Sequence, residues 1–216
     1  MLRQTKQVNK EHYDFQRYMR RARWNSVWNQ LHEVLSLQPA SVLEVGPGPG
    51  LFKSNAQQFG LNIETVDIDP ELKPDHLGSV TELPFADNSY DLVCAFQVLE
   101  HMPYADSLKA FSEMVRVSKH NVVLSLPNAL KVWRLRIDLP QVFTWQAMVR
   151  RPFAKPEVHV FDGQHFWEIN KQESMLDSIE ADFGAHADLL RSYQLYENPY
   201  HHFFVYQKPT RTNAAD

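Results

Sequence analysis

The sequence predicts an α/β fold, a mainly parallel sheet covered on both faces by helices, and three observations carry that prediction. Continuous apolar runs such as SVLEV, DLVCAF and NVVLSL alternate with helix-periodic segments, the pattern of strands buried on both sides. The first run ends in the glycine-rich turn VGPGPG, of the kind that lets a backbone approach a ligand closely at a strand's end. The chain has 216 residues, enough to bury a full core without disulfides or metal.

In chain order, residues 1–10 are polar. Trp24, Trp28, Leu31 and Leu35 recur at three- and four-residue spacing, which predicts the buried face of a helix ending before Pro39. SVLEV is a strand, Leu51 to Phe59 a short helix capped by Gly60, and NIETVDIDP a second strand with acids at its exit. HLGSV is a short strand and PFADNS a turn-rich connection. DLVCAF is a buried strand whose Cys94, the single cysteine, is a small hydrophobe in a reducing compartment. YADSLKAFSEMVRVS reads as a helix with Leu108, Phe111 and Val115 on one face, and NVVLSL as a strand closed by Pro127.

From residue 129 the character changes. Residues 129–156 carry six cations against one acid, Asp138, with Trp133, Phe143, Trp145 and Phe153 interleaved. KQESMLDSIEADFG then predicts a helix, YQLYENPYHHFFVYQ two strands about a turn at Asn198-Pro199, and PTRTNAAD a frayed tail.

The net charge of −4 leaves no electrostatic footprint for nucleic acid. No apolar run approaches the roughly 20 residues needed to span a bilayer, and the polar N-terminus lacks an apolar leader. A cytoplasmic protein with no transmembrane segment is expected.

The turn itself narrows the ligand. Gly46 and Gly48 fit the first two positions of a dinucleotide fingerprint, but the third falls on Leu51, with Gly50 one residue early. Pro47 and Pro49 remove two N–H donors that a pyrophosphate cradle would use. Both points favour a nucleoside-like ligand without phosphates. Asp67 stands where a ribose-binding acid would lie in either class, which leaves a dinucleotide-dependent oxidoreductase as an alternative.

VLEVGPGPG, VDIDP, GSVTELPFADNSYDLVCAFQVLEHM and VVLSLPN, in that order over residues 40–128, resemble the class I S-adenosylmethionine-dependent methyltransferases. The type resembled is the small-molecule group that includes ubiquinone and menaquinone biosynthesis enzymes. The resemblance implies a doubly wound, Rossmann-like sheet of about seven strands with an antiparallel strand near the C-terminus. One domain is implied: a helical cap at 1–39, a cofactor-binding core at 40–128, a lid or acceptor insert over the active site at 129–170, and a helix and strand pair at 171–208. S-adenosyl-L-methionine is the implied methyl donor and S-adenosyl-L-homocysteine the product, with an oxygen or nitrogen of a small molecule as acceptor. A non-catalytic cofactor-binding scaffold and a nucleic-acid methyltransferase are the alternatives.

Residue by residue, the resemblance implies that Gly46, Gly48 and Gly50 admit the methionyl and ribose portions of the cofactor. Glu44 organises the loop and the ammonium end, and Asp67 accepts the ribose hydroxyls while Ile68 packs on the adenine. Ser79 and Val80 take the adenine edge, and Phe96, Gln97 and Val98 line the methionine end. The chain departs from the family where Ser79 replaces a frequent aspartate and where prolines stiffen the glycine loop. Glu44 can alternatively cap the next helix, and Asp69 reads as the start of a turn with Pro70.

Two segments are candidates for the chemistry. QVLEHM brings His101 to the acceptor side as pocket wall or general base, with Glu100 read as a cap or ion-pair residue. Some relatives bind a divalent metal through Glu-x-x-Glu-His here; Gln97 replaces the first acid, so no metal is expected. EVHVFDGQHFWEI supplies His159, Asp162, His165 and Glu168, with His165 the second candidate base. Tyr13 and Tyr18 lie where an N-terminal helix often closes such a cleft, and Arg17, Arg20, Arg21 and Arg23 read as an exposed basic face. The 129–156 segment reads as a lid for an anionic or partly apolar acceptor, as an amphipathic segment on a membrane surface or partner, or as packed aromatics with solvated charges.

Overall fold

The computed structural model describes residues 14–209; stretch 1–10, Tyr13 and the tail beyond Pro209 lie outside them, as does the Arg17 side chain. The elements run α1 (Phe15–Tyr18), α2 (Arg21–Ser36), β1 (Val42–Val45), α3 (Leu51–Gln58), β2 (Ile63–Asp67), β3 (His76–Leu77), β4 (Tyr90–Phe96), α4 (Tyr104–Val117) and β5 (Ser118–Pro127). They continue as β6 (Val132–Leu139), β7 (Phe143–Arg150), α5 (Leu176–Gly184), β8 (Asp188–Gln194) and β9 (His201–Gln207), with short 3-10 turns at Pro70–Leu72 and Leu99–His101.

Seven strands form one sheet in the order β3-β2-β1-β4-β5-β9-β8. The first five are mutually parallel, and β9 runs antiparallel to both β5 and β8. Alternate residues of the central strands feed two separate cores. Leu43, Val93 and Leu124 pack with Phe111 and Phe183 of α4 and α5. Val42, Leu92 and Cys94 pack with Val34 and Phe52 of α2 and α3. This two-sided burial is the reason these strands are unbroken apolar runs. Each fully buried large side chain contributes about 1.5–3 kcal/mol.

The structure corrects two expectations and adds one element. Trp24 and Trp28 are exposed at 48% and 58%; α2 instead buries Ser26, Val27, Gln30, Glu33 and Val34. Glu33 can sit inside because Arg191 and the Tyr193 hydroxyl donate to it at 2.6 and 2.8 Å, so the polar stripe wins the inner face and Trp28 stacks on His32. The helix expected from Lys171 begins only at Leu176. Before it, Asn170 takes a positive φ and Lys171 bridges Ser174 in a turn, the Ser174 hydroxyl donating to the Glu168 carbonyl. Residues 132–150 form a separate two-stranded antiparallel hairpin, β6–β7, which composition alone did not show.

Candidate functional site

A cavity opens at the carboxyl ends of β1 and β4, the edge of an open α/β sheet at which ligands bind. Its walls come from four places: α1–α2 (Tyr18, Arg23, Val27, Gln30), the loop after β1, the end of β4 with the turn behind it, and Gln164–His165 with Tyr200–His201.

The loop after β1 is built by alternation. Gly46, Gly48 and Gly50 have φ of +66°, +53° and +72°, and the prolines between them fix negative φ. Gly46 is further constrained, because a Cβ there would lie 2.6 Å from Val98 Cγ2. Val98 therefore supports the loop from beneath and does not line the cavity. Gly46, Gly48, Glu44, Phe96 and Gln97 do line it. Gln97 adopts φ +58°, an uncommon conformation for a non-glycine residue. It is held by its N–H on the Ser125 carbonyl and its amide on the Ser125 hydroxyl.

Glu44 is 3% exposed and Oε2 has no hydrogen-bond partner. Burial pushes its carboxyl up to about 8, against the opposing pull of the Lys53 charge and the Lys53 backbone N–H. The carboxyl thus lies within reach of the Lys53 charge, with Oε2 unpartnered in the cavity wall. Pro47 and Pro49 line the same wall, so the loop offers few N–H donors and an acid, a poor host for phosphate.

The remaining cofactor candidates lie outside the cavity. Asp67, at the end of β2, is half-buried; burial raises its carboxyl, opposed by the N–H groups of Asp69 and Ile68. Ile68 is 41% exposed beside it. Asp69 caps the Pro70–Leu72 turn through the Glu71 N–H, as its sequence context predicts. Ser79 shares a hydrogen bond of 2.8 Å with the Thr81 hydroxyl. The Val80 side chain belongs to the core, which leaves only its backbone for a ligand.

On the opposite wall, residues remote in sequence converge. His165 Nδ1 lies 3.0 Å from Glu168 Oε1, which also accepts from the Tyr200 hydroxyl. An ionised acceptor there assigns the proton to Nδ1 and leaves Nε2 as the basic nitrogen. Burial would depress the imidazole, but the Glu168 hydrogen bond and the charges of Glu100, Asp162 and Glu168 outweigh it and raise its pKa. His101 stacks obliquely 5.1 Å from His165, centroid to centroid, with Nδ1 3.0 Å from the Gln164 carbonyl. Glu100 is fully buried and neither carboxylate oxygen has a hydrogen-bond partner, so burial pushes it up to about 8. This corrects the reading of Glu100 as a cap or ion-pair residue.

Glu100, His101 and His165 each offer a donor atom, all within 4.8 Å of one another. His165 is thus the contribution from another region that QVLEHM lacks by itself.

Further corrections concern the covers. Arg20 and Arg21 are exposed, but Arg23 is partly buried, stacks 4.1 Å from the Tyr18 ring and lines the cavity. Among the described residues, none of 129–156 lines the cavity; the covering role of the insert falls to Gln164 and His165. Tyr200 and His201 were not among the sequence candidates. They reach the wall because the turn between β8 and β9 folds back over it. Burial drives the His201 imidazole down to about 3, so it is neutral.

Residues 43–126 match a family model described as a methyltransferase domain. An "uncharacterized methyltransferase" of Mycobacterium sp. (strain JLS) is 36% identical over 91 residues, 37% of this chain and 34% of the relative. Another, from Mycobacterium marinum, is 35% identical over 96 residues, 39% and 37% of the two chains. The match thus spans about a third of the length of these relatives. Among solved structures, a protein of Pyrococcus horikoshii OT3 superposes with a TM-score of 0.62 at 16% identity over 94% of this chain and 97% of that one. Magnesium protoporphyrin IX methyltransferase from Synechocystis PCC 6803, solved with S-adenosylhomocysteine, gives 0.58 at 15% identity over 95% and 90%. At such identities the likeness shows the fold.

Proposed function

We propose that this chain, whose residues 43–126 match a methyltransferase-domain model within a seven-stranded α/β sheet, uses S-adenosyl-L-methionine to methylate an oxygen or nitrogen of a small-molecule acceptor. The observation that carries the reading is the cavity's polarity. One wall presents the left-handed Gly46–Gly50 loop and the unpartnered buried oxygen of Glu44, and the other presents the His165–Glu168 pair. Two acids support the reading, Glu44 in the cavity wall and Asp67 at the end of the neighbouring strand β2. The cradle at Gly46 has no room for a Cβ.

When bound, the cofactor supplies a methyl group on a sulfonium, with S-adenosyl-L-homocysteine as product. Glu44 neutralises the ammonium, Asp67 accepts from the ribose hydroxyls with Ile68 against the adenine, and Gly46 and Gly48 allow close approach. Gly50, Ser79 and Val80 are assigned to the same ligand through their backbone positions, and Phe96 and Gln97 to its methionine end. His165 Nε2 accepts the proton that an acceptor hydroxyl or amine must lose, and Glu168 stabilises the imidazolium so formed. His101 packs against His165 and shapes the acceptor side. Arg23 and Tyr18 close the cavity from the N-terminal side, and exclusion of water there favours charge-dispersing displacement. An acceptor that is anionic or partly apolar suits the arginine and the aromatic lining.

A second reading rests on one observation, the 4.8 Å spacing of the Glu100, His101 and His165 donor atoms, which suits a divalent cation able to orient the acceptor. Labelled cofactor incubated with a metabolite extract, and read by mass spectrometry for methyl gain, tests the main proposal. Binding of cofactor lost in Asp67→Ala and methyl transfer lost in His165→Ala are expected, with activity intact after chelation. Activity abolished by chelator and restored by metal would replace the metal-free reading by the second. Cofactor binding without transfer to any fraction would leave a scaffold.

A further inference from the structure

The β6–β7 hairpin has the composition of a core and the position of a surface. Its register pairs Trp133 with Val149, Leu135 with Ala147, Ile137 with Trp145 and Leu139 with Phe143. Directly opposed residues share a face, so one face of the ribbon is eight apolar side chains without a polar interruption. The seven larger ones are 44–52% exposed. The other face carries Arg134, Arg136 and Asp138 against Met148, Gln146 and Thr144.

Both faces of the ribbon are about half exposed, Arg136 and Asp138 at 54% and 49%, and the protein meets the charged face at Arg134. Arg134 donates to the carbonyls of Tyr196 and Glu197 at 3.2 and 3.0 Å, and the Tyr196 hydroxyl donates to the Leu135 carbonyl. That anchor leaves the apolar face uncovered. Val142 at the tip is 75% exposed and Phe153 just beyond the base is fully exposed. A contiguous apolar surface of this extent marks an interaction site.

Charge selects the occupant. On a chain of net charge −4, residues 129–156 carry six cations and one acid, and Lys131, Arg150, Arg151 and Lys155 meet at the base of the hairpin, where Glu157 pairs with Lys131. A second copy stacked face to face would bring a second set of these cations to the contact, with Asp138 and Glu157, already paired to Arg136 and Lys131, as the acids beside them. An anionic surface beneath the apolar face would be matched on both counts, and tryptophans are at home at such an interface.

We propose that the apolar face of the 132–150 hairpin seats the protein on an anionic lipid surface, with the basic residues at its base engaging the headgroups. The site does not depend on the methyl-transfer reading.

Co-sedimentation of the full chain with vesicles tests it, comparing pure phosphatidylcholine with phosphatidylcholine containing about 30% phosphatidylglycerol. Binding to the anionic vesicles is expected, weakening by about tenfold or more in the double variant Trp133→Ser, Trp145→Ser and in Arg150→Ser, Arg151→Ser, and falling with added salt. Thermal melts of both variants should match the parent, since neither pair lies in the core. Absence of anionic-vesicle binding, or equal binding by the variants, overturns the proposal. So does concentration-dependent dimerisation that disappears with the tryptophans, which would assign the face to a second copy.

Discussion

The molecule's two sheets obey the same period-two alternation and bury it to opposite degrees. In the seven-stranded sheet both faces of β1, β4 and β5 are covered, and residues such as Val42, Leu43, Val93 and Leu124 are fully buried. In the β6–β7 hairpin both faces lie open, and the protein meets the charged one only at Arg134 among the described residues. The difference teaches that alternation specifies a strand and its two faces, whereas coverage is decided by what the remainder of the chain lays against them.

Stability separates the two sheets most sharply. Leu124→Ala leaves a cavity in a sealed core and should cost about 2–5 kcal/mol, whereas Leu135→Ala should change stability by about 0.5 kcal/mol or less. Urea unfolding measures both, and a comparable loss at Leu135 would mean that the hairpin is packed in solution.

The glycine loop sharpens the contrast within the large sheet. Gly46→Ala combines a left-handed φ with a 2.6 Å contact to Val98, a cost of about 2–5 kcal/mol when strain and overpacking are summed. Gly50→Ala, with nothing within 4 Å of the added carbon, should cost only about 1–2 kcal/mol of strain. Equal effects at both positions would remove the role given to Val98.

The acid beside the same loop adds a pH dependence, through Glu44. Its carboxyl is held near 8 in the folded protein against an ordinary value of 4.5, so the folded state binds more protons between those values. Stability without cofactor therefore falls as pH rises through that window. Glu44→Gln should raise the Tm at pH above about 8, with the gap closing toward pH about 4 to 5, while weakening cofactor binding. A Tm difference independent of pH would show that Glu44 is not buried as an acid.

Much of this was legible beforehand. The strand order's parallel core follows from apolar runs at β1, β4 and β5, the positive-φ loop from three glycines, and the Asp69 cap from its neighbour Pro70. Those are local features, decided within a few residues. The wall opposite the glycine loop was legible only in fragments: His101 and His165 stood out as residue types, but their 5.1 Å ring contact joins segments over sixty positions apart. Tyr200 carried no signal, because its role depends on Glu168 accepting its hydroxyl. The inner face of α2 was misread because Glu33 becomes burial-competent only when Arg191 and Tyr193 reach it.

The sequence by itself determined the core strands β1, β4 and β5, the left-handed loop after β1, and the acid Glu44 beside that loop. These follow from backbone sterics and side-chain period, which act over neighbouring residues. Only the tertiary structure decided which polar groups are stripped of water, and so where Glu44, Glu100 and His165 acquire shifted protonation. It alone decided which apolar face stays uncovered, because desolvation and coverage are properties of whatever distant chain happens to pack alongside.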